Sequence, residues 1–211
     1  MIFHGVIGQD LKEETSPSFF NIEEVVIVRD YIKKLLDMKQ NKISPKEIGV
    51  IAPYRRQVQK IRQKLKKDNI NDIMVGSTEE FQGQERRVII VSTVRSSPEY
   101  VHTDNQYKLG FLKNPKRFNV AITRYIYTMW ARTYAFWPAL YCIIFSNLSV
   151  SILIFTFIFR AKALLIVVGN PHILSQDHEW CQLLDWSQSK GSRVQSVVSS
   201  TKICVTKNMF L

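Results

Sequence analysis

Short apolar runs alternate along the chain with stretches that are apolar on one side only, a pattern typical of an α/β domain. The apolar runs predict buried strands, because both faces of a parallel sheet are covered by other elements. The predicted strands are Ile2–Ile7, Ile48–Ala52, Ile73–Val75, Val88–Val91 and Ala163–Val168. The predicted helices run from about Ile22 to Met38, from Tyr54 to Lys67, from Pro115 to Arg124 and from Asp177 to Gly191.

The first two predicted helices have clear start signals and buried stripes. Asn21 is expected to cap the first helix, and Glu24 to close a capping box with it. The second helix is basic outside its apolar stripe, and such a face can neutralise phosphates. Its basic residues are Arg55, Arg56, Lys60, Arg62, Lys64, Lys66 and Lys67. For Lys64 to Lys67 a solvated helix surface is the favoured interpretation, whereas Tyr54 and Arg55 follow a strand end, where α/β sheets bind ligands.

A polar loop separates the third and fourth predicted strands. It contains one large apolar residue, Phe81, which is expected to pin the loop to the core. The polar residues of the loop include Thr78, Glu79, Glu80, Gln82 and Glu85, with Gly83 between them. A polar loop between buried strands is a candidate ligand site, and a solvated connector is the alternative.

Composition narrows the range of partners. The formal charge of +11 and the isoelectric point near 9.6 favour a polyanion. Nucleic acid is the first candidate and an anionic membrane surface the second. The three cysteines and four histidines do not cluster at ligand spacing, so neither a disulfide framework nor a metal site is predicted. The N-terminus lacks the pattern of a signal peptide, which makes the cytoplasm the expected location.

Three segments together carry a family resemblance. The segments VGSTEEFQGQE (75–85), IGVIAPYRRQ (48–57) and RFNVAITR (117–124) resemble motifs V, IV and VI of the up-frameshift-like superfamily 1 helicases. Within that group, the sequences of these segments most resemble the Moloney-leukaemia-virus-10-like, or Armitage-type, RNA helicases of small-RNA (piRNA-type) silencing. The resemblance covers residues 1–124 and 161–191. It implies a second RecA-like lobe, with a parallel sheet flanked by helices.

The resemblance also implies roles for individual residues, grouped around ATP and single-stranded RNA. Catalytic roles fall to Arg124, Gln82 and Glu85. ATP contacts fall to Tyr54, Arg55, Gly83, Glu85 and Arg124. RNA contacts fall to Ser77, Thr78 and Arg56. Arg124 would act as an arginine finger, although an arginine in a last helical turn also complements the helix dipole. We expect Tyr54, Gln82, Glu85 and Arg124 to surround one shared hollow.

Residues 125–160 depart from the family pattern, because they separate the motif VI helix from the next core strand. The stretch from Thr133 to Phe159 has no charged residue and is long enough to span a bilayer. Three interpretations are open: an intron read in frame, a genuine membrane anchor, and an extra buried helix. We favour the intron, because the flanks rejoin as an uninterrupted motif. In that case Arg124 or Arg160 supplies the finger, and Arg124 is preferred.

The chain contains no G-x-x-x-x-G-K-[ST] phosphate loop and no D-E-x-x pair to hold Mg²⁺. Both belong to a first helicase lobe, which would be one partner of this chain. By itself the chain is expected to bind RNA weakly and to hydrolyse no ATP. Other expected partners are small-RNA silencing proteins, in the cytoplasm or in RNA granules, with a membrane only if the insert is an anchor. Residues 192–211 are predicted to form a weakly ordered tail.

Overall fold

The computed structural model describes residues 1–14, 16, 18–81, 84–100 and 160–195. The strands in this part of the chain are β1 (Ile2–Gly5), β2 (Leu11–Lys12), β3 (Phe19–Phe20), β4 (Ile48–Ile51), β5 (Met74–Gly76), β6 (Glu85–Ser92), β7 (Arg160–Gly169) and β8 (Arg193–Gln195). The α-helices are α1 (Ile22–Leu36), α2 (Arg55–Lys67), α3 (Pro171–Leu174) and α4 (His178–Ser189), with short 3₁₀ helices at Pro45–Glu47 and Pro98–Tyr100.

Six strands form one sheet in the order β5-β4-β6-β7-β1-β8, and each neighbouring pair is parallel. The predicted α/β fold, a RecA-like parallel sheet flanked by helices, is confirmed. β2 and β3 pair antiparallel as a separate two-stranded ribbon. Because all six strands point the same way, their carboxyl ends share one edge of the sheet, here called the carboxyl edge. Their amino ends share the other, the amino edge.

Each face of the sheet is covered by its own apolar layer. α1 and α2 bury the predicted stripes on one face, including Val28, Ile32, Ile61 and Leu65. α4 covers part of the other face through the fully buried Trp180. The connection between β5 and β6 adds Phe81, also fully buried, to this second layer. The polar loop is therefore pinned by Phe81 as the sequence predicts.

The capping box predicted at the start of α1 is half right. The Asn21 side chain accepts the backbone N–H of Glu24 at 3.1 Å, as an N-cap should. The Glu24 carboxylate does not return to Asn21, because the Asn21 N–H is bound by Gln57 Oε1 at 2.9 Å. Glu24 instead binds the chain that follows β6.

The carboxyl-terminal boundary of the domain lies beyond the predicted one. Residues 193–195, expected to belong to the tail, form β8 at the end of the sheet beside β1. The rest of that tail, most of the insert and the predicted helix at 115–124 lie outside the described residues. No helix within the described ranges is long and apolar enough to cross a bilayer.

Candidate functional site

The carboxyl edge brings four polar segments together. Tyr54 follows β4, Ser77 follows β5, Thr93 follows β6 and Asn170 follows β7. In open parallel α/β sheets, ligands commonly bind outside the carboxyl ends of the strands. The sequence places motif residues in two of the four segments, after β4 and after β5.

A groove of about 470 Å³ opens at this edge between α2 and the turn after β5. Its lining residues are Pro53, Arg55, Val58, Gln59, Arg62, Ser77, Glu79 and Glu80. Pro53 and Val58 give the groove an apolar floor, and the remaining side chains are polar or charged. Two of the predicted contact residues, Arg55 and Ser77, therefore face one groove.

The predicted residues on α2 differ in how accessible they are. Arg55 is exposed and forms no ion pair with any described residue. Arg56 is half-buried and pairs with Glu13 at 2.8 Å, so an RNA phosphate would have to compete with that carboxylate. Tyr54 is only 6% exposed. Its ring packs edge-on against Phe19, with centroids 5.9 Å apart, and this packing leaves little of it for a ligand.

The two predicted RNA-contact residues in the turn after β5, Ser77 and Thr78, also differ in how accessible their side chains are. Ser77 is half-buried, and its hydroxyl accepts the backbone N–H of Glu80 at 3.3 Å. Thr78 is 3% exposed, and its hydroxyl oxygen is buried without a hydrogen-bond partner. Ser77 is the better placed of the two for a direct contact.

Glu85 lies at the opposite edge of the sheet from Tyr54. It is the first residue of β6, and the register pairs Val91, near the end of that strand, with Ile51 of β4. Six residues of strand separate Glu85 from Val91, about 20 Å at the usual rise. The expectation of one hollow shared by Tyr54 and Glu85 is therefore wrong. The physical reason is that β5 and β6 are parallel, so the chain that leaves β5 at the carboxyl edge has to enter β6 at the amino edge.

The amino edge around Glu85 is basic. Glu85 pairs with Lys162 at 3.2 Å, and the next two residues of β6 are Arg86 and Arg87. Glu85 also stands in register with Arg160, the first residue of β7. Four basic residues therefore lie within the first three positions of β6 and β7 at this edge. Such a surface attracts polyphosphate. Gln82, Gly83 and Arg124 lie outside the described residues, so their predicted roles stay predictions.

The carboxyl edge contains a buried polar network that the sequence did not reveal. The Glu24 carboxylate accepts the Ser92 hydroxyl at 2.5 Å and the Val94 N–H at 2.9 Å. The Asn21 amide donates to the Val94 carbonyl at 3.2 Å and to the Ser96 hydroxyl at 3.1 Å. The start of α1 thus binds Val94, in the segment after β6, through both the backbone N–H and the backbone C=O of that residue.

A buried ion pair continues this network. Arg95 donates to Asp10 at 3.1 Å, and the two side chains are 1% and 0% exposed. The Arg95 guanidinium also stacks over Phe19, 4.0 Å from its centroid, and lies 5.0 Å from the Tyr54 centroid. Burial raises the pKa of the Asp10 carboxyl, while hydrogen bonds from Ser96 and Arg95 oppose that rise.

One signal in the sequence points to this network. The run Ser92-Thr93-Val94-Arg95-Ser96 is mainly polar and follows a strand buried on both faces. Such a run places donors at the carboxyl edge. Its partners, Asp10, Asn21 and Glu24, are more than 60 residues earlier in the chain. No local pattern connects them.

No group of three or more His, Cys, Asp or Glu side chains in the described ranges could hold a metal ion. The charged and polar groups at the two edges of the described part are guanidinium, ammonium, hydroxyl and carboxylate. Guanidinium, ammonium and hydroxyl groups can bind phosphate.

Comparison of the sequence with known proteins identifies a family and several relatives. Residues 1–131 match the AAA domain family. The chain is 47% identical to the putative helicase mov-10-B.1 of Danio rerio over 203 residues, which cover 90% of this chain and 16% of that protein. It is 44% identical to the human RNA helicase Mov10l1 over 191 residues, with 90% and 13% covered. It is 33% identical to the probable RNA helicase armi of Drosophila melanogaster over 182 residues, with 86% and 12% covered.

The chain thus spans 12% to 16% of the length of these three relatives. The match covers β1 to β6 and both edges of the sheet around them, and the relatives are named helicases. The chain belongs to the AAA domain family and is a second RecA-like lobe of the up-frameshift-like superfamily 1 helicases, close to the MOV-10 and armi proteins.

Proposed function

We propose that this chain supplies half of the ATP cleft and half of the RNA cleft of an ATP-dependent RNA helicase. RNA lies along the carboxyl edge, at the groove between α2 and the turn after β5. ATP lies at the amino edge, against the starts of β6 and β7. The lobe is inactive alone, because no phosphate-binding loop occurs in the 211 residues.

The carboxyl edge suits a single strand of RNA. Arg55 is exposed at the start of α2, and Ser77 lines the same groove. A guanidinium and a hydroxyl can bind the phosphodiester backbone without reading its sequence. Most affinity from such contacts is electrostatic, so RNA binding by the lobe is weak and sensitive to salt.

The amino edge suits the nucleotide. The observation that carries the proposal is the register of Glu85 with Arg160, which pairs the backbone of the residue before Ala161 with that of the motif V glutamate. In the continuous family motif that residue is the arginine of motif VI. ATP, with its Mg²⁺ held by the other lobe, supplies the phosphoanhydride whose hydrolysis drives the helicase. Gln82, Gly83 and Glu85 bind it from this side, and an arginine there offsets the charge that develops on the transferred phosphoryl group.

Because RNA is assigned to the carboxyl edge and ATP to the amino edge, two residues predicted to bind ATP take other roles. Tyr54 and Arg55 lie at the carboxyl edge, so we assign Arg55 to RNA. We assign Tyr54 a structural role, because its ring packs against Phe19 and Arg95. Arg56, held by Glu13, joins the RNA contacts only when that ion pair opens.

The resemblance to silencing helicases extends the proposal to the biological setting. The RNA substrate is single-stranded and belongs to small-RNA silencing of the piRNA type. The partners are the first helicase lobe and other proteins of that pathway, and the location is the cytoplasm, including RNA granules. Residues 125–159 take no part in the reaction, and the arginine that precedes Ala161 does.

A fusion tests the proposal. The chain without residues 125–160 is joined to the first lobe of the Danio rerio helicase mov-10-B.1, and ATP hydrolysis is measured with and without a single-stranded RNA. We expect hydrolysis that RNA stimulates. RNA binding that never responds to ATP would instead identify a non-catalytic binding module. For the undeleted chain, resistance to carbonate extraction from membranes would identify residues 125–160 as an anchor.

A further inference from the structure

Arg62, on α2, holds the turn that carries Ser77 and Thr78. Its guanidinium donates to the Val75 carbonyl through Nε at 2.9 Å and also through Nη2. The same Nη2 reaches Glu80 Oε2 at 3.2 Å. One side chain therefore connects a helix, the middle residue of β5 and the turn that follows the strand.

Within the described ranges, no strand lies on the outer side of the carbonyl that Arg62 binds. β5 is the first strand of the sheet, with β4 as its single neighbour. An edge strand leaves some backbone groups unpaired, and a side chain that covers them fixes the strand and discourages pairing with another chain. Arg62 does this next to Gly76, where the proposed RNA-binding turn begins.

The glycine at position 76 allows this arrangement. A Cβ placed on Gly76 would lie 2.4 Å from Glu80 Oε2 and 3.2 Å from the Glu80 Cβ. The Glu80 side chain therefore lies directly over the Gly76 backbone, and a side chain at position 76 would force the Glu80 carboxylate to shift. This close approach puts the Glu80 carboxylate within reach of Arg62, while Ser77 caps the same turn by accepting the Glu80 N–H.

We propose that Arg62 is a positioning residue, which orients the Ser77–Thr78 turn for contact with the RNA backbone through its bonds to Val75 and Glu80. This inference rests on the proposed function and deepens it. In this proposal Arg62 acts through the turn: its Nε and Nη2 face a carbonyl and a carboxylate, which leaves Nη1 for any direct phosphate contact, and the salt dependence of binding separates the two roles. The guanidinium fork suits this double task, and a lysine at this position could not bind both acceptors in the same way.

Three variants of the full chain separate positioning from direct contact. Arg62→Ala removes both bonds, and Gly76→Ala displaces Glu80 while keeping every charge. Lys66→Ala removes an exposed cation one turn further along α2 and is the matched control. Binding of a fluorescent single-stranded RNA is measured over a series of salt concentrations, at a temperature where each variant remains folded. Hydrogen exchange of the Gly76–Glu80 amides is measured without RNA.

We expect Arg62→Ala and Gly76→Ala to weaken RNA binding about 5- to 20-fold, a change of roughly the size that a few broken contacts produce. The salt slope should remain that of the wild type in both. Exchange of the turn amides should become faster in both variants and stay unchanged in Lys66→Ala.

Either of two results would overturn the inference. The first is wild-type affinity or wild-type exchange in Arg62→Ala or Gly76→Ala. The second is a salt slope smaller by about 0.7 in Arg62→Ala, the change expected when one phosphate contact to a single strand is lost. Failure of the wild-type chain to bind RNA would count against the proposed function. Hydrogen exchange would then still test whether Arg62 holds the turn.

Discussion

The carboxylate of Glu24 binds the backbone N–H of Val94, although the two residues are 70 positions apart. Val94 has a φ of 74°, in the left-handed region that a β-branched residue rarely adopts. Such a conformation costs on the order of 1–3 kcal/mol and persists only when its surroundings hold it. Glu24 and Asn21 provide this hold at the edge of the sheet proposed to bind RNA.

Glu24 should make the stability of the domain depend on pH. Burial raises the pKa of its carboxyl to about 8, and the nearby Asp10 adds to the rise, while hydrogen bonds from Ser92 and Val94 oppose it. The folded state therefore favours the protonated acid. The stabilisation is complete below the unfolded pKa near 4.5 and is lost as the pH rises through about 8.

Glu24→Gln tests this dependence, because it keeps the shape of the acid and removes its titration. The wild-type free energy of unfolding should fall between about pH 5 and about pH 8, and the variant should show a flatter profile over the same range. Urea unfolding at several pH values measures both. Glu23→Gln, at an exposed neighbouring position, is the control. A variant profile as steep as the wild-type profile would show that another group is responsible.

The buried pair of Asp10 and Arg95 should matter far more for stability than an exposed pair does. Asp10→Ala removes the buried carboxylate that pairs with Arg95, and we expect a loss of about 3–5 kcal/mol. Lys162→Ala breaks the pair with Glu85, in which the lysine side chain is 60% exposed, and should cost less than about 1 kcal/mol. Chemical denaturation compares the two. Similar losses in both variants would contradict this ranking.

The contact between Phe81 and Gly49 should control how the β5–β6 connection lies on the sheet. A Cβ at Gly49 would be 2.6 Å from the Phe81 ring, so Gly49→Ala should destabilise the fold by about 1–3 kcal/mol. Phe81→Leu alone should also destabilise it, by leaving a small cavity. The double variant should be more stable than the sum of the two losses predicts. Strict additivity would mean that the ring and the glycine do not press on each other.

Apolar periodicity explains what the sequence predicts correctly and what it misses. Continuous runs such as Val88–Val91 could only be buried strands, so the sheet followed from pattern alone. β8 was missed because Arg193–Gln195 has one apolar residue, which is too little for a strand signal. The local pattern around Glu24 fits a capping box and predicts a bond to Asn21. In the structure the partners of Glu24 are Ser92 and Val94, at and beyond the carboxyl end of β6.

The sequence predicts that Tyr54 and Glu85 share one hollow, whereas the topology places them at opposite edges of the sheet. A polar loop between two strands looks the same in sequence whether it turns back or crosses over. The chain crosses over between β5 and β6, since these strands are parallel and flank β4. Ser77 therefore lies near the groove at the carboxyl edge, and Glu85 lies at the basic amino edge.

The last prediction concerns the arginine of motif VI. Removal of residues 125–160 or of residues 124–159 gives the same joined sequence, because both boundaries are arginine. The surviving arginine then precedes Ala161, in the position that Arg160 holds beside Glu85. In the fusion with the first lobe, its replacement by alanine (Arg124→Ala) should lower RNA-stimulated ATP hydrolysis by about 10³- to 10⁵-fold and leave RNA binding intact. Lys116→Ala, on the same predicted helix, is the matched control and should keep most of the activity. Unchanged turnover in Arg124→Ala would show that this position offsets no charge in the transition state, and the assignment of ATP to the amino edge would lose its main support.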